Sequence, residues 1–191
     1  DTKLNLHKLI GEKLLKNFDQ KYYDKISSAS MSPSGFSIHL GLDDKIDLGA
    51  LGFNCGYNVL SSSAGAHAKM FDAWEKGKLI VSDKHFHLAV ICPSLMSGGK
   101  QTLVIHVVPV PAEKWINLYE TDNDQYQTEK QKISDFYIKK VEQYMIPGLR
   151  NHILFTDIST PATYKRFICS PTGSQYRSEE HTSELQSPNT I

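Results

Sequence analysis

The chain has 191 residues, enough for one domain of ordinary size or one domain and a tail. Hydrophobic residues make up 40% and charged residues 22%, the balance of a soluble globular protein with room for a real core. The charges cancel, 21 Lys and Arg against 21 Asp and Glu, which argues against a basic nucleic-acid module and an acidic disordered chain.

Leu6, Ile10 and Leu14 recur at four-residue spacing, the stripe of an amphipathic helix with Lys8, Glu12 and Lys13 toward water. A second short helix is expected over Gln20 to Ile26. Ser27 to Gly35, rich in Ser, Pro and Gly, reads as a loop. Gly35 to Leu42 then alternates, with Phe36, Ile38, Leu40 and Leu42 on one face of a strand and Ser37, His39 and Gly41 on the other. Phe53 to Leu60 is a weaker strand, with Phe53, Cys55, Tyr57 and Val59 expected to share a face. Ala64 to Gly77 reads as a helix burying Met70, Phe71 and Trp74, with Gly77 as its stop.

Phe86 to Cys92 and Leu103 to Val110 are nearly continuous apolar runs, which suggests strands covered on both faces. Ser97-Gly98-Gly99-Lys100 between them is a turn signal, so the two form an antiparallel hairpin with a medium loop. Pro109 and Pro111 should keep the second strand from running deep into a sheet. Tyr126 to Met145 carries a helical stripe of Ile133, Tyr137, Val141, Tyr144 and Met145, ended by Pro147-Gly148. Asn151 to Ile158 is a further strand. Pro161 to Phe167 is a short helix, with Pro161 in its first turn and Thr160 as the cap. Beyond Arg177 almost no apolar residue remains, and Ser178 to Ile191 is expected to be disordered.

Little in the residues alone carries chemistry. His85 and His87 would share a strand face, as a metal site wants, but no third ligand is evident. A solvated His beside a hydrogen-bonded one is the favoured reading, and no metal is expected. Ser97 to Lys100 lacks the spacing of a phosphate loop. Cys55, Cys92 and Cys169 are too few and too scattered for a disulfide framework or a zinc site. Buried, reduced thiols in a cytoplasm are the simplest account of all three. No stretch approaches the roughly 20 apolar residues of a membrane helix. There is no G-x-G-x-x-G, H-E-x-x-H or G-x-S-x-G. Nine Tyr, eight Phe and two Trp could line an apolar ligand cavity, although most fit an ordinary core.

Several segments together resemble one family, the FAD-dependent phytoene desaturases, carotenoid isomerases and retinol saturases. They are Asp1 with the helix of Leu9, Ile10 and Gly11, then Ser32-Pro33-Ser34-Gly35-Phe36 leading to Leu40-Gly41-Leu42-Asp43. Val107-Val108-Pro109-Val110-Pro111 follows with Trp115 close behind, and then Ile146-Pro147-Gly148-Leu149. The most specific is Thr160-Pro161-Ala162-Thr163-Tyr164-Lys165-Arg166-Phe167 with Ser170-Pro171-Thr172-Gly173-Ser174-Gln175-Tyr176. The resemblance covers residues 1–176. At position 177 the family has Gly where Arg177 stands, and residues 177–191 resemble translated sequencing-adapter read-through.

The resemblance implies an α+β fold: a mixed, largely antiparallel sheet covered by helices, as in the substrate domain of a two-domain FAD oxidoreductase. Residues 1–176 would be that domain and its flanks, in a chain that is a piece of something longer. The implied function is redox chemistry on C–C bonds of a carotenoid- or retinoid-like polyene, by desaturation, saturation or isomerisation. FAD would be held mainly by parts outside this chain. By motif match, Gly173 and Tyr176 would lie at the flavin, and Pro161 and Tyr164 at the substrate. Gly173 stands where the family has the second of two consecutive glycines. The implied partners are an apolar polyene and a membrane surface touched peripherally, in a cytoplasmic protein that binds no nucleic acid. The other reading is a free-standing binding domain for an apolar ligand, with no redox role.

Overall fold

The computed structural model describes residues 31–53, 56–170 and 172–175, with isolated positions between Gly11 and Asp24. The two N-terminal helices expected from the sequence fall largely outside the described residues. Cys55, Tyr176 and the segment 177–191 fall entirely outside them.

Five strands form one open sheet: β1 (Ser34–Leu42), β2 (Tyr57–Ser61), β3 (His87–Ile91), β4 (Thr102–Val110) and β5 (Ile153–Ser159). Their order is β2-β3-β4-β1-β5. Every described pairing is antiparallel, so the α+β class holds while the expected mixed sheet becomes a wholly antiparallel one. Alternation explains β1. Phe36, Ile38, Leu40 and Leu42 all point into the core and are buried. They lie between Leu103, Ile105 and Val107 of β4 and Ile158 of β5.

Pro109 leaves its mark on β4. Between Phe36↔Val107 and Ser34↔Val110, β1 advances two residues while β4 advances three. The irregularity absorbs a residue with no N–H to give the ladder, and the strand continues to Val110.

Helix α1 (Ala66–Trp74) meets β3 and β4 and buries Ala66 and Met70. The β3–β4 loop holds a helical turn, α2 (Pro93–Ser97), rather than a plain turn. Helices α3 (Ala112–Thr121) and α4 (Asn123–Tyr144) cover the core face of the sheet. Trp115 of α3 stacks 5.4 Å from Phe36 and 5.9 Å from Tyr126. Helix α4 begins three residues before the expected start because Asp122 caps it, its Oδ1 accepting from the Gln125 N–H at 2.9 Å. Its stripe buries Ile133, Tyr137, Ile138 and Val141. A 3₁₀ turn, Leu149–His152, leads into β5, and α5 (Pro161–Phe167) closes the fold. His152 Nδ1 and Asp43 Oδ1 lie 2.9 Å apart, tying that turn to the end of β1. This hydrogen bond holds Asp43 below the usual carboxylate range.

Lys140 is the one charged residue among the buried positions described. Its ammonium pairs with Asp83 and lies 5.5 Å from the ring centres of Phe86 and Phe136 and 5.8 Å from that of Tyr144. The aromatic faces and the carboxylate together replace the water it gives up.

The strand around Tyr57 differs from expectation. Tyr57 and Val59 are more than half exposed, and Phe53 lies before β2 in the preceding turn. β2 is an edge strand, and Tyr57, opposite Ile91, faces away from the helix layer.

Candidate functional site

The face of β1 that turns from the helix layer carries Gly35, Ser37, His39 and Gly41 in place of charged residues. Register sets Ser37 beside His106 of β4 on one side and Ser159 of β5 on the other. Directly opposed residues share a face, so Ser37 and His106 meet. Ser37 Oγ is 2.7 Å from His106 Nδ1. It is also 2.8 Å from the hydroxyl of Tyr164, which α5 delivers from above. Ser37 is buried and His106 half-buried.

Helix α5 is fixed at its first turn. The Thr160 N–H donates to Thr163 Oγ1 at 3.0 Å, and the Thr160 and Tyr126 hydroxyls meet at 2.9 Å in the interior. The following segment, Thr172–Gln175, is stitched back onto the start of β1. Ser34 Oγ donates to the Gly173 carbonyl, and the Ser32 and Ser174 hydroxyls lie 2.6 Å apart. Gln175 then lies across Gly35. A methyl group on Gly35 would collide with the Gln175 amide and with the edge of the His106 ring.

Pro161, Tyr164 and Gly173 are therefore brought together, and Tyr176 lies outside the described residues. Gly173 has φ +68°, and a Cβ there would stand 2.6 Å from the Pro161 carbonyl oxygen. Backbone conformation and close packing thus explain this glycine without any ligand. Ser37 and His106 escape a reading by motif, and Gln175 stands inside the last matched segment with no role assigned to it. The available signal is the composition of the strand's second face, where Gly, Ser and His stand in place of the charged side chains of a solvated surface.

Two buried polar atoms in this cluster have no partner, His106 Nε2 and Gln175 Oε1. Burial, and then the neighbouring His39, lower the His106 pKa below its ordinary 6.5. His87 is lowered in the same way, by burial and by His67, whose ring centre is 4.5 Å away. His85 lies ahead of β3, in a bridge with Ser82. Among the described residues no three His, Cys, Asp or Glu side chains are placed to hold one metal ion. Cys92 is buried as expected, whereas Cys169 is exposed at the end of α5 with φ +52°, correcting the expectation of a buried thiol. A separate cavity of about 290 Å³ lies between Tyr119, Tyr126, Lys130, Asp157, Arg166 and Phe167. Its mixed charged and aromatic lining differs from the apolar cavity expected. No helix among the described residues is long and apolar enough to cross a membrane.

Comparison with known proteins gives one consistent direction. The chain is similar to prolycopene isomerases. It is 28% identical to that of Arabidopsis thaliana over 174 residues and 26% identical to that of Daucus carota over 160 residues. A prolycopene isomerase of an Oncidium hybrid cultivar is 26% identical over 159 residues. These matches cover 86%, 83% and 83% of the chain, but only 24%, 22% and 23% of the relatives. The chain thus spans less than a quarter of the length of the curated relatives it matches. No family model matches it. The relatives are named as chloroplast proteins, which differs from the cytoplasmic placement suggested by cysteine usage.

Proposed function

We propose that this chain is part of an FAD-dependent oxidoreductase acting on C–C bonds of a carotenoid-like polyene, and that it supplies the substrate domain. The observation that carries this reading is the similarity to prolycopene isomerases, which runs through more than four fifths of the chain.

The geometry supports it in two ways. The outer sheet face and its edges expose large apolar side chains: Tyr57, Val59, Leu154 and Phe155. An apolar polyene or a covering lobe of the same enzyme would remove them from water. Second, the cluster at Gly35 holds polar atoms of the kind that the edge of a flavin ring would pair with. That edge carries both hydrogen-bond donors and acceptors, and His106 Nε2 and Gln175 Oε1 are buried polar atoms still without partners. Those two side chains, with the backbone around Gly173, are the parts of this chain that would meet the cofactor. Tyr164 and Pro161 would position them and border the polyene. FAD, when bound, supplies the electron transfer. The chain's own residues would bind, orient and desolvate the substrate. Such a role needs few protein acids or bases, which suits a site of one His, one Ser and one Tyr. Peripheral membrane contact is part of the same proposal, because the substrate is a lipid.

The test uses the full-length product of the gene. Purified, it should be yellow, with flavin absorbance that persists through gel filtration. A colourless, folded full-length protein would sink the proposal. The upstream reading frame separates it from a free-standing apolar-ligand domain: an in-frame G-x-G-x-x-G before Asp1 is expected, and a start codon directly before Asp1 would favour the binding domain.

A further inference from the structure

Ser37 has one hydroxyl proton and two close neighbours, Tyr164 Oη at 2.8 Å and His106 Nδ1 at 2.7 Å. Acidity settles how the three groups share their protons. A phenol is the best donor of the set and an imidazole nitrogen the best acceptor. The chain of bonds therefore runs from the Tyr164 O–H to Ser37 Oγ, and from the Ser37 O–H to His106 Nδ1. A neutral imidazole that accepts at Nδ1 carries its proton at Nε2. His106 is kept neutral by burial and by the nearby His39. Ser37, which bonds it, and Gln175, which meets it at Gly35, carry no ionisable charge. Nε2 is buried without a partner, and the adjoining ring carbon Cε1 and the unpartnered Gln175 Oε1 both press on Gly35.

We propose that Ser37 and Tyr164 are positioning residues that lock His106 in its Nε2–H form, presenting a hydrogen-bond donor above Gly35 to a carbonyl oxygen or unprotonated ring nitrogen of a bound ligand. The ligand half of this inference rests on the flavin reading. The tautomer does not, and it is measurable in this chain with no cofactor present. Gln175 Oε1 makes no hydrogen bond to His106 and so does not set the tautomer.

The experiment is nitrogen NMR of the ¹⁵N-labelled chain at neutral pH, with His106→Gln identifying the resonances. The expected wild-type spectrum has Nε2 in the protonated range and Nδ1 in the unprotonated range, widely separated. Ser37→Ala and Tyr164→Phe should each pull the two signals together as the tautomers mix. Gln175→Ala should leave them apart. Protonation at Nδ1 in the wild type, a charged ring, or a switch on Gln175→Ala overturns the proposal. So does a folded Ser37→Ala or Tyr164→Phe protein that keeps the full separation. A purely structural role for the hydroxyls would lower the melting temperature of the folded variants and leave their two signals fully separated. If both variants fail to fold, Ser37→Cys, which replaces the hydroxyl by a weak donor of similar size, is read in the same way.

Discussion

The two faces of β1 are made by the same nine residues and have opposite characters. One face sends Phe36, Ile38 and Leu40 into a layer closed by α3 and α4. The other sends Ser37 into a hydrogen-bonded cluster with His106 and Tyr164. The first face is held by area removed from water, which is non-directional and forgiving of shape. The second depends on a few directed bonds, each worth about 1 kcal/mol net. A period of two thus separates what folds the chain from what the chain can do, and substitutions on the two faces should behave differently.

The largest effect should come from the closed face. Phe36→Ala removes a fully buried ring packed on Trp115, and should cost ~3–5 kcal/mol in denaturant unfolding. Gly173→Ala comes next. The left-handed backbone alone costs roughly 1–2 kcal/mol, and the contact with the Pro161 carbonyl adds to it. A loss near 2 kcal/mol is expected, and a neutral result would show that the 172–175 segment is not held against α5.

A smaller effect is a slope in pH. His106 and His87 both have folded pKa values below their ordinary 6.5, so the unfolded chain binds more protons as the solution is acidified. Stability therefore falls with pH from about 6.5 down to those lowered values, and levels off below them. His106→Gln should flatten part of this slope in melting curves taken between pH 7 and pH 5. Smallest of all, Val59→Thr on the exposed face of the edge strand should change stability by no more than about 0.5 kcal/mol. A larger loss would mean that this face is covered.

Much of the fold is legible in the residues. The alternation of Phe36, Ile38, Leu40 and Leu42 specifies β1 and its buried side, and Thr160-Pro161 marks the start of α5. Helix α3 is amphipathic, with Trp115 buried and Ile116 and Leu118 packed partly against the core. It is hidden because it is only ten residues long and follows directly on Pro109 and Pro111, which read as a break. Tyr57 and Val59 mislead because alternation reveals that a strand has two faces, not which one a neighbour will cover. His106 reads as a mere interruption of an apolar run. Its role comes from a β1 residue 69 positions away, and only strand register supplies that contact. The motif residues Pro161, Tyr164 and Gly173 do converge, yet the polar centre they converge on carries no motif of its own.

The enclosure of Lys140 by Phe86, Phe136 and Tyr144 has a practical consequence. Its sequence neighbour Lys139 lies open to solvent. Two adjacent primary amines should therefore meet an acylating reagent with very different speeds, Lys139 promptly and Lys140 only after the polypeptide loosens. Peptide mass mapping of that single dipeptide would report, without any cofactor or substrate, whether a given preparation has its interior assembled.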